Sequence, residues 1–115
     1  TLGDGLRAAR QLRRLGAQQV LASLGADGML LVADDGVWYG TAPAAVVRSD
    51  VGAGDASLAG FLGAGGTGPK ALASALAHGA AAVQLPGSAM PAPADLDPTA
   101  VEITADLPEE LPLGR

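Results

Sequence analysis

The sequence predicts an α/β fold, in which helices pack on a β-sheet. Three observations indicate this class. A helical pattern of apolar residues ends at Gly16 and is followed by a short apolar run over residues 18–24. Turn signals at residues 25–28 and 34–36 separate further apolar runs, and two stretches of small residues, 54–63 and 69–83, have helical spacing. This order of elements is typical of helices layered on a sheet.

The first helix is predicted to be amphipathic. At about 100° per residue its apolar and basic residues fall on opposite sides: Leu2, Leu6, Ala9 and Leu12 on one, Arg7, Arg10 and Arg14 on the other. We interpret the arginines as a solvated face rather than a ligand site. Gly16 ends the helix, and arginines in the last turn complement the helix dipole.

The strands should begin with residues 18–24, an apolar run suited to a buried strand. A helix followed by a strand is half of a βαβ unit, so we expect a mainly parallel sheet here. The two turn signals then predict an antiparallel meander at the sheet edge, over residues 29–33 and 37–40. Trp38 and Tyr39 alternate faces of the last strand and are interpreted as packing residues.

Residues 52–55, Gly-Ala-Gly-Asp, place a carboxylate directly after a glycine turn at the predicted start of the second helix. Unpaired N–H groups and the helix dipole attract anions there, and glycine lets a ligand approach the backbone. Asp55, ionised at neutral pH, could accept the proton of a hydroxyl that attacks phosphorus. The alternative is an ordinary first-turn acid with no catalytic role.

The third helix should begin at Pro69 and bury one face: Leu72, Leu76, Gly79 and Val83. His78 lies on another side, where a surface or packing role is expected. The glycine-rich connector at residues 63–69 follows a helix rather than a strand, so it does not fit a dinucleotide loop. Residues 86–115 hold six of the eight prolines and predict an extended C-terminal segment, with one short edge strand at 101–104 and acids that serve solvation.

Composition excludes several classes of protein. No cysteine is present, so disulfides and thiolate metal sites are excluded, and a single histidine argues against a zinc site. The net charge of −5 argues against nucleic-acid binding. No apolar stretch is long enough to span a bilayer. Hydrophobic residues make up 49% of the chain, which is consistent with a cytoplasmic globular protein.

Three segments of the chain resemble the ribokinase-type (PfkB) sugar kinases. Residues 48–61 resemble the C-terminal signature of that family, with its Gly-Ala-Gly-Asp sequence before a helix of small residues. Residues 20–31 look like the strand, turn and strand that precede this signature, and residues 77–83 like the helix that follows it. The amino-acid sequence as a whole, including residues 85–88, is most similar to the bacterial 1-phosphofructokinase subgroup.

The resemblance implies a ribokinase-like three-layer α/β/α fold. Residues 1–115 would form its C-terminal, nucleotide-binding part, without the N-terminal part that carries an Asn-x-x-Glu motif. The sequence contains no asparagine, so that motif is not within these residues. The implied reaction of the complete enzyme is transfer of the γ-phosphoryl group of ATP to fructose 1-phosphate, which gives fructose 1,6-bisphosphate.

The resemblance also assigns roles to residues. Asp55 would be the catalytic base and would contact the substrate. Gly52, Ala53 and Gly54 would form an anion hole. The nucleotide would contact a loop and the signature: Ser23, Leu24, Gly25, Ala26, Asp27, Gly28, Gly54 and Asp55. Mg²⁺ would bridge the ATP phosphates, with no metal ligand assigned in this chain. Without the resemblance, the glycines of residues 25–28 are better interpreted as an ordinary hairpin connection than as a nucleotide loop.

Alternatives remain open at this point. The acceptor could be tagatose 6-phosphate or another sugar, since most acceptor contacts lie in the absent part. The chain could instead be an inactive truncated nucleotide-binding protein, or a purely structural α/β module. Asp50 departs from the family, which usually has Thr or Ser there, and could weaken ATP binding or cap the helix. A homodimer of the complete enzyme is compatible with the resemblance.

Overall fold

The computed structural model describes residues 1–42, 53–84, 96 and 100–113 of the chain. Its helices and strands follow one another in the order that the sequence predicts, and the α/β class is confirmed. In chain order they are α1 (Leu2–Arg14), β1 (Val20–Ser23), a 3₁₀ turn (Gly25–Asp27), β2 (Met29–Ala33), β3 (Gly36–Thr41), α2 (Ala53–Gly63), α3 (Gly68–Val83) and β4 (Glu102–Thr104).

The described strands form one four-stranded sheet in the order β1-β2-β3-β4. Every neighbouring pair is antiparallel: Leu21 lies opposite Leu31, Leu31 opposite Trp38, and Gly40 opposite Ile103. The predicted meander and the edge strand β4 are therefore confirmed. The prediction of a mainly parallel sheet is wrong for the described strands, because the connections from β1 to β2 and from β2 to β3 are too short for a crossover.

Helices cover both faces of this sheet, and each face has its own buried cluster. On one face α1 packs against the sheet through a cluster that contains Leu2, Leu6, Leu30, Val32 and Tyr39. On the other face α2 and α3 pack through a cluster that contains Met29, Leu31, Phe61, Leu72 and Leu76, with Trp38 against it. Trp38 and Tyr39 therefore lie on opposite faces as packing residues, as predicted.

The first helix agrees with its predicted pattern except at one residue. Leu2, Leu6 and Ala9 are buried, but 51% of Leu12 is exposed. The helix ends at Arg14, two residues after Leu12, and Gly16 follows with a φ of 115°. The expected apolar stripe is therefore narrower than predicted, and it stops before the last turn.

Helices α2 and α3 are held close together by small residues. A Cβ atom placed on Gly60 of α2 would lie 2.8 Å from the carbonyl oxygen of Ser74 in α3. His78 lies at the same crossing, with its Nδ1 atom 2.8 Å from that oxygen. The histidine is therefore a packing residue, one of the two roles expected for it.

The described part of the C-terminal segment returns to the start of α1. The backbone N–H of Leu2 donates to the carbonyl of Leu111 at 2.8 Å, and that of Gly3 to the carbonyl of Glu109 at 2.7 Å. Leu107 and Leu111 also pack against the cluster beneath α1. These residues are anchored rather than loose, whereas the division of the chain at residue 86 remains a prediction. In the described part of the chain, no helix is long and apolar enough to cross a membrane.

Candidate active site

The start of α2 carries the residues predicted to act on a phosphoryl group. Ala53 is the first residue of the helix, and Gly54 and Asp55, both exposed, follow in its first turn. A Cβ placed on Gly54 would meet no other atom within 4 Å. Gly52 and Asp50 lie outside the described residues, so of the three residues predicted to form an anion hole the structure describes the backbone of Ala53 and Gly54 only, and the anion hole itself remains a prediction.

The carboxylate of Asp55 is exposed, and no described residue forms an ion pair or a hydrogen bond with it. The backbone N–H groups in the first turn of a helix have no acceptor within the helix, and the dipole gives this end a partial positive charge. The arrangement therefore places a carboxylate that has no partner among the described residues beside a group of backbone donors. It can bind an anion and accept a proton next to it.

The position of Asp55 depends on how α2 packs. Ala56 and Phe61 on the inner face of the helix are buried, and Phe61 belongs to the cluster on the sheet. Gly60 permits the close approach of α3. Packing along the helix thus fixes the direction in which its first turn points, without any contact from the carboxylate itself.

The predicted nucleotide loop, residues 23–28, is a tight connection between β1 and β2. The N–H of Leu24 donates to the carbonyl of Gly28 at 2.8 Å, and the N–H of Asp27 donates to the carbonyl of Leu24 at 3.1 Å. The Tyr39 hydroxyl donates to the carbonyl of Asp27 from the neighbouring strand. The backbone of the loop is therefore braced by the chain's own hydrogen bonds.

The two glycines of this loop serve different purposes. Gly28 has a φ of 108°, and a Cβ there would collide with the carbonyl oxygen of Gly40 on β3. Gly25 has a φ of 61°, but a Cβ there would meet nothing within 4 Å. The sequence suggested that both glycines admit a ligand. The structure gives Gly28 a packing reason instead, and leaves Gly25 as the open position.

The loop and α2 border the same face of the sheet. Met29 directly follows the loop and belongs to the same buried cluster as Phe61 of α2. On this face a hollow of about 540 Å³ lies between the end of α2 and α3. Its wall is mostly small and apolar and includes Lys70, Ser74 and His78. No residue pattern in the sequence indicated this hollow, because its lining brings together residues that are distant in sequence, from Gly63 at the end of α2 to Leu96.

The described residues contain no group of three or more histidine, cysteine or acidic side chains that could hold a metal ion. Asp55 is the acidic residue at the start of α2. A metal ion at this position would therefore depend on oxygen atoms from its ligand or from other parts of the protein.

Two 1-phosphofructokinases are similar in sequence to this chain. A 1-phosphofructokinase from Haloferax volcanii is 52% identical over 64 residues, which are 56% of this chain and 21% of that protein. A 1-phosphofructokinase from Escherichia coli K12 is 42% identical over 59 residues, which are 51% of this chain and 19% of that protein.

Solved structures have the same fold. Phosphofructokinase-2 from Escherichia coli, in complex with substrates and products, matches with a TM-score of 0.73 and 26% identity over 83% of this chain. Aminoimidazole riboside kinase from Salmonella enterica, in complex with aminoimidazole riboside and an ATP analogue, matches with a TM-score of 0.63 and 35% identity over 72% of it. The matches cover 32% and 31% of those two chains.

The matched regions are about a fifth of the curated relatives and about a third of the solved chains. These 115 residues thus correspond to only part of each relative. Residues 1–95, which make up most of the chain, match the profile of the pfkB family of carbohydrate kinases. The ribokinase-like fold predicted from the sequence is confirmed, and the chain belongs to the pfkB carbohydrate kinase family.

Proposed function

We propose that this chain is the nucleotide-side part of an ATP-dependent kinase that phosphorylates fructose 1-phosphate to fructose 1,6-bisphosphate. The observation that carries the proposal is the exposed carboxylate of Asp55 at the start of α2, beside Ala53 and Gly54, with which no residue in the described part of the chain pairs. The similarity to two 1-phosphofructokinases supports the choice of acceptor.

Asp55 acts as the base in this proposal. Phosphoryl transfer passes through a loose transition state, in which the attacking hydroxyl keeps its proton until late. The carboxylate therefore first aligns the hydroxyl and then takes its proton. The N–H groups of the first turn of α2 offset the negative charge on the transferring group.

ATP would lie between the loop at residues 23–28 and α3. Gly25 offers open space on the loop, and the hollow beside His78 offers an apolar wall for a base. The Salmonella kinase was solved with an ATP analogue, which supports this class of ligand. Mg²⁺ would neutralise the phosphates of ATP and be held chiefly by them, since Asp55 is the acid that α2 brings to this position.

The test requires the complete polypeptide encoded by the reading frame that contains residues 1–115. We expect its kcat/KM to be highest for fructose 1-phosphate, compared with tagatose 6-phosphate and fructose 6-phosphate at saturating MgATP. A clear preference for tagatose 6-phosphate would instead identify the complete enzyme as a tagatose-6-phosphate kinase. The 115 residues alone should show no turnover, because most acceptor contacts lie elsewhere in the family fold.

An inactive truncated protein is the second candidate, favoured by the small share of each relative that the chain matches. A reading frame without the Asn-x-x-Glu part would support it, as would a complete product that binds ATP without turnover. A homodimer and a cytoplasmic location of the complete enzyme remain predictions.

A further inference from the structure

The predicted nucleotide loop, residues 23–28, touches strand β3 at two neighbouring points. The hydroxyl of Tyr39 donates to the backbone carbonyl of Asp27, the last residue of the 3₁₀ turn. The next residue of β3, Gly40, lies so close to the next residue of the loop that a Cβ on Gly28 would collide with the Gly40 carbonyl oxygen. The whole of β2 separates β3 from the loop in sequence, so β3 supports the loop from a neighbouring strand.

The ring of Tyr39 is itself fixed in the core. Only 6% of the surface of Tyr39 is exposed, and the residue belongs to the buried cluster beneath α1 with Leu2 and Leu30. Leu24, which precedes the 3₁₀ turn, packs against the same cluster. A ring that is close-packed in this way has little freedom to follow a moving loop. Its hydroxyl therefore acts as a fixed donor that holds the Asp27 carbonyl in one place.

The same strand also contacts α3, on the other face of the sheet. A Cβ on Gly40 would collide with the Cδ1 atom of Leu76, so the strand and α3 are in direct contact at this glycine. Leu76 lies on α3 between Ser74 and His78, which line the hollow beside this helix. Strand β3 therefore joins the loop to α3, and it sets the separation of the two walls between which ATP would lie.

The backbone hydrogen bonds within the loop serve a different purpose from the bond to Tyr39. The N–H of Leu24 donates to the carbonyl of Gly28, and the N–H of Asp27 donates to the carbonyl of Leu24. Both bonds join residues of the loop to each other, so they hold the shape of the turn. The bond from Tyr39 joins the turn to another strand, so it holds the position of the turn relative to the sheet.

We propose that Tyr39 is a positioning residue for the nucleotide, and that its hydroxyl holds residues 25–28 where the open side of Gly25 lies against ATP. The inference rests on the proposed function, since it takes ATP to lie between this loop and α3. A loop that is already in place loses little conformational freedom when a ligand binds. Without the hydroxyl the ligand must also order the loop, so the apparent affinity for MgATP falls.

The Tyr39→Phe variant of the complete polypeptide removes the hydroxyl and keeps the ring in its cluster. The Kd for MgATP, measured by calorimetry, should rise about three- to tenfold, the change expected for the loss of one hydrogen bond. The kcat at saturating MgATP and the KM for fructose 1-phosphate should stay within about twofold, because Tyr39 packs on the face of the sheet opposite to α2. A residue that served stability alone would lower the Tm and leave this Kd unchanged.

Thr104→Val is the matched control, and hydrogen exchange tests the support of the loop separately. Thr104 lies opposite Tyr39 on β4, and its hydroxyl accepts from the N–H of Asp106 at 3.0 Å, so this variant also loses a hydroxyl bond. It should leave the Kd for MgATP unchanged. In the nucleotide-free polypeptide, the amides of residues 24–28 should exchange at least about threefold faster in Tyr39→Phe, whereas those of residues 29–33 should not change.

The proposal is overturned if the Kd for MgATP is the same in Tyr39→Phe as in the unaltered polypeptide, or if it rises equally in Thr104→Val. It is also overturned if the loop exchanges equally fast with and without the hydroxyl. A polypeptide that binds MgATP but does not phosphorylate fructose 1-phosphate would refute the proposed reaction, while the Kd and exchange measurements would still decide the role of Tyr39. A polypeptide that binds no MgATP would overturn both proposals.

Discussion

Two helices of this chain begin with an aspartate in the first turn, and the two residues are used differently. Asp4 of α1 completes a capping box: its backbone N–H donates to the Thr1 hydroxyl, and the Thr1 ammonium donates to its carboxylate, with which Arg7 also pairs. The carbonyls of Leu111 and Glu109 accept the N–H groups of Leu2 and Gly3. The start of α1 is therefore closed by the chain itself.

The start of α2 is open by comparison. No described residue outside the helix accepts from its first-turn N–H groups or pairs with Asp55. The comparison teaches how to separate a structural first-turn acid from one available to a ligand. The structural acid has a capping partner and a cation on the next turn, whereas the available one has neither among the described residues.

The largest expected effect comes from Asp55→Asn in the complete polypeptide. The amide keeps the shape of the side chain but cannot take a proton, so kcat should fall by on the order of 10²-fold or more. The KM for ATP and the Tm should change little, because Asp55 packs against nothing described. Steady-state kinetics and a thermal melt measure both.

Asp4→Asn is the matched control, as it makes the same change at the closed helix start. It should leave kcat unchanged. A variant of Asp55 that keeps kcat while its Tm falls would make Asp55 a cap like Asp4, and the comparison would break down.

Much of this comparison could be predicted from the sequence, and some of it could not. The Gly-Ala-Gly-Asp sequence predicted Asp55 at a helix start, and the alternation at Trp38 and Tyr39 predicted two packed faces. The closure of α1 by residues 109 and 111 was not predictable, because such contacts join residues distant in sequence. The role of Gly28 was missed for the same reason, since its neighbour Gly40 lies on another strand.

The next effect tests how α2 is positioned. Gly60→Ala would place a methyl group 2.8 Å from the Ser74 carbonyl, so the free energy of unfolding should fall by about 1–3 kcal/mol. Gly5→Ala in α1 meets nothing within 4 Å and should raise it by about 0.5–1 kcal/mol. Urea unfolding of the complete polypeptide measures both. A lower kcat in Gly60→Ala would show that the packing of α2 sets the position of Asp55. An unchanged free energy of unfolding in Gly60→Ala would show that the close packing of α2 on α3 does not require a glycine at residue 60.

A smaller effect is expected from Thr1→Ala, which removes the cap of α1. The Thr1 hydroxyl accepts from the N–H of Asp4 at 3.3 Å, and loss of such a cap costs about 1 kcal/mol. Urea unfolding of the 115-residue chain should show this change, while Thr1→Ser should recover most of it. If Thr1→Ala is as stable as the original, the backbone bonds to residues 109 and 111 alone would close α1.

The smallest expected effect is the pH dependence of Asp4. The hydrogen bond from the N-terminal ammonium, then that from Thr1, and then the charges of the ammonium and Arg7 lower the pKa of Asp4 below its usual value of 3.8. A carboxyl with a lowered pKa in the folded state adds stability above pH 3.8 and loses it as the pH falls through the lowered value. Acetylation of the Thr1 amine removes its charge and leaves a neutral amide N–H as a weaker donor, so the pKa of Asp4 should move back toward 3.8 without reaching it. A ¹³C NMR titration of the Asp4 carboxyl in the acetylated and free chains measures this shift. An equal pKa in both would mean that Thr1 and Arg7 hold the carboxylate unaided, as they would in a longer polypeptide where a peptide N–H replaces the ammonium.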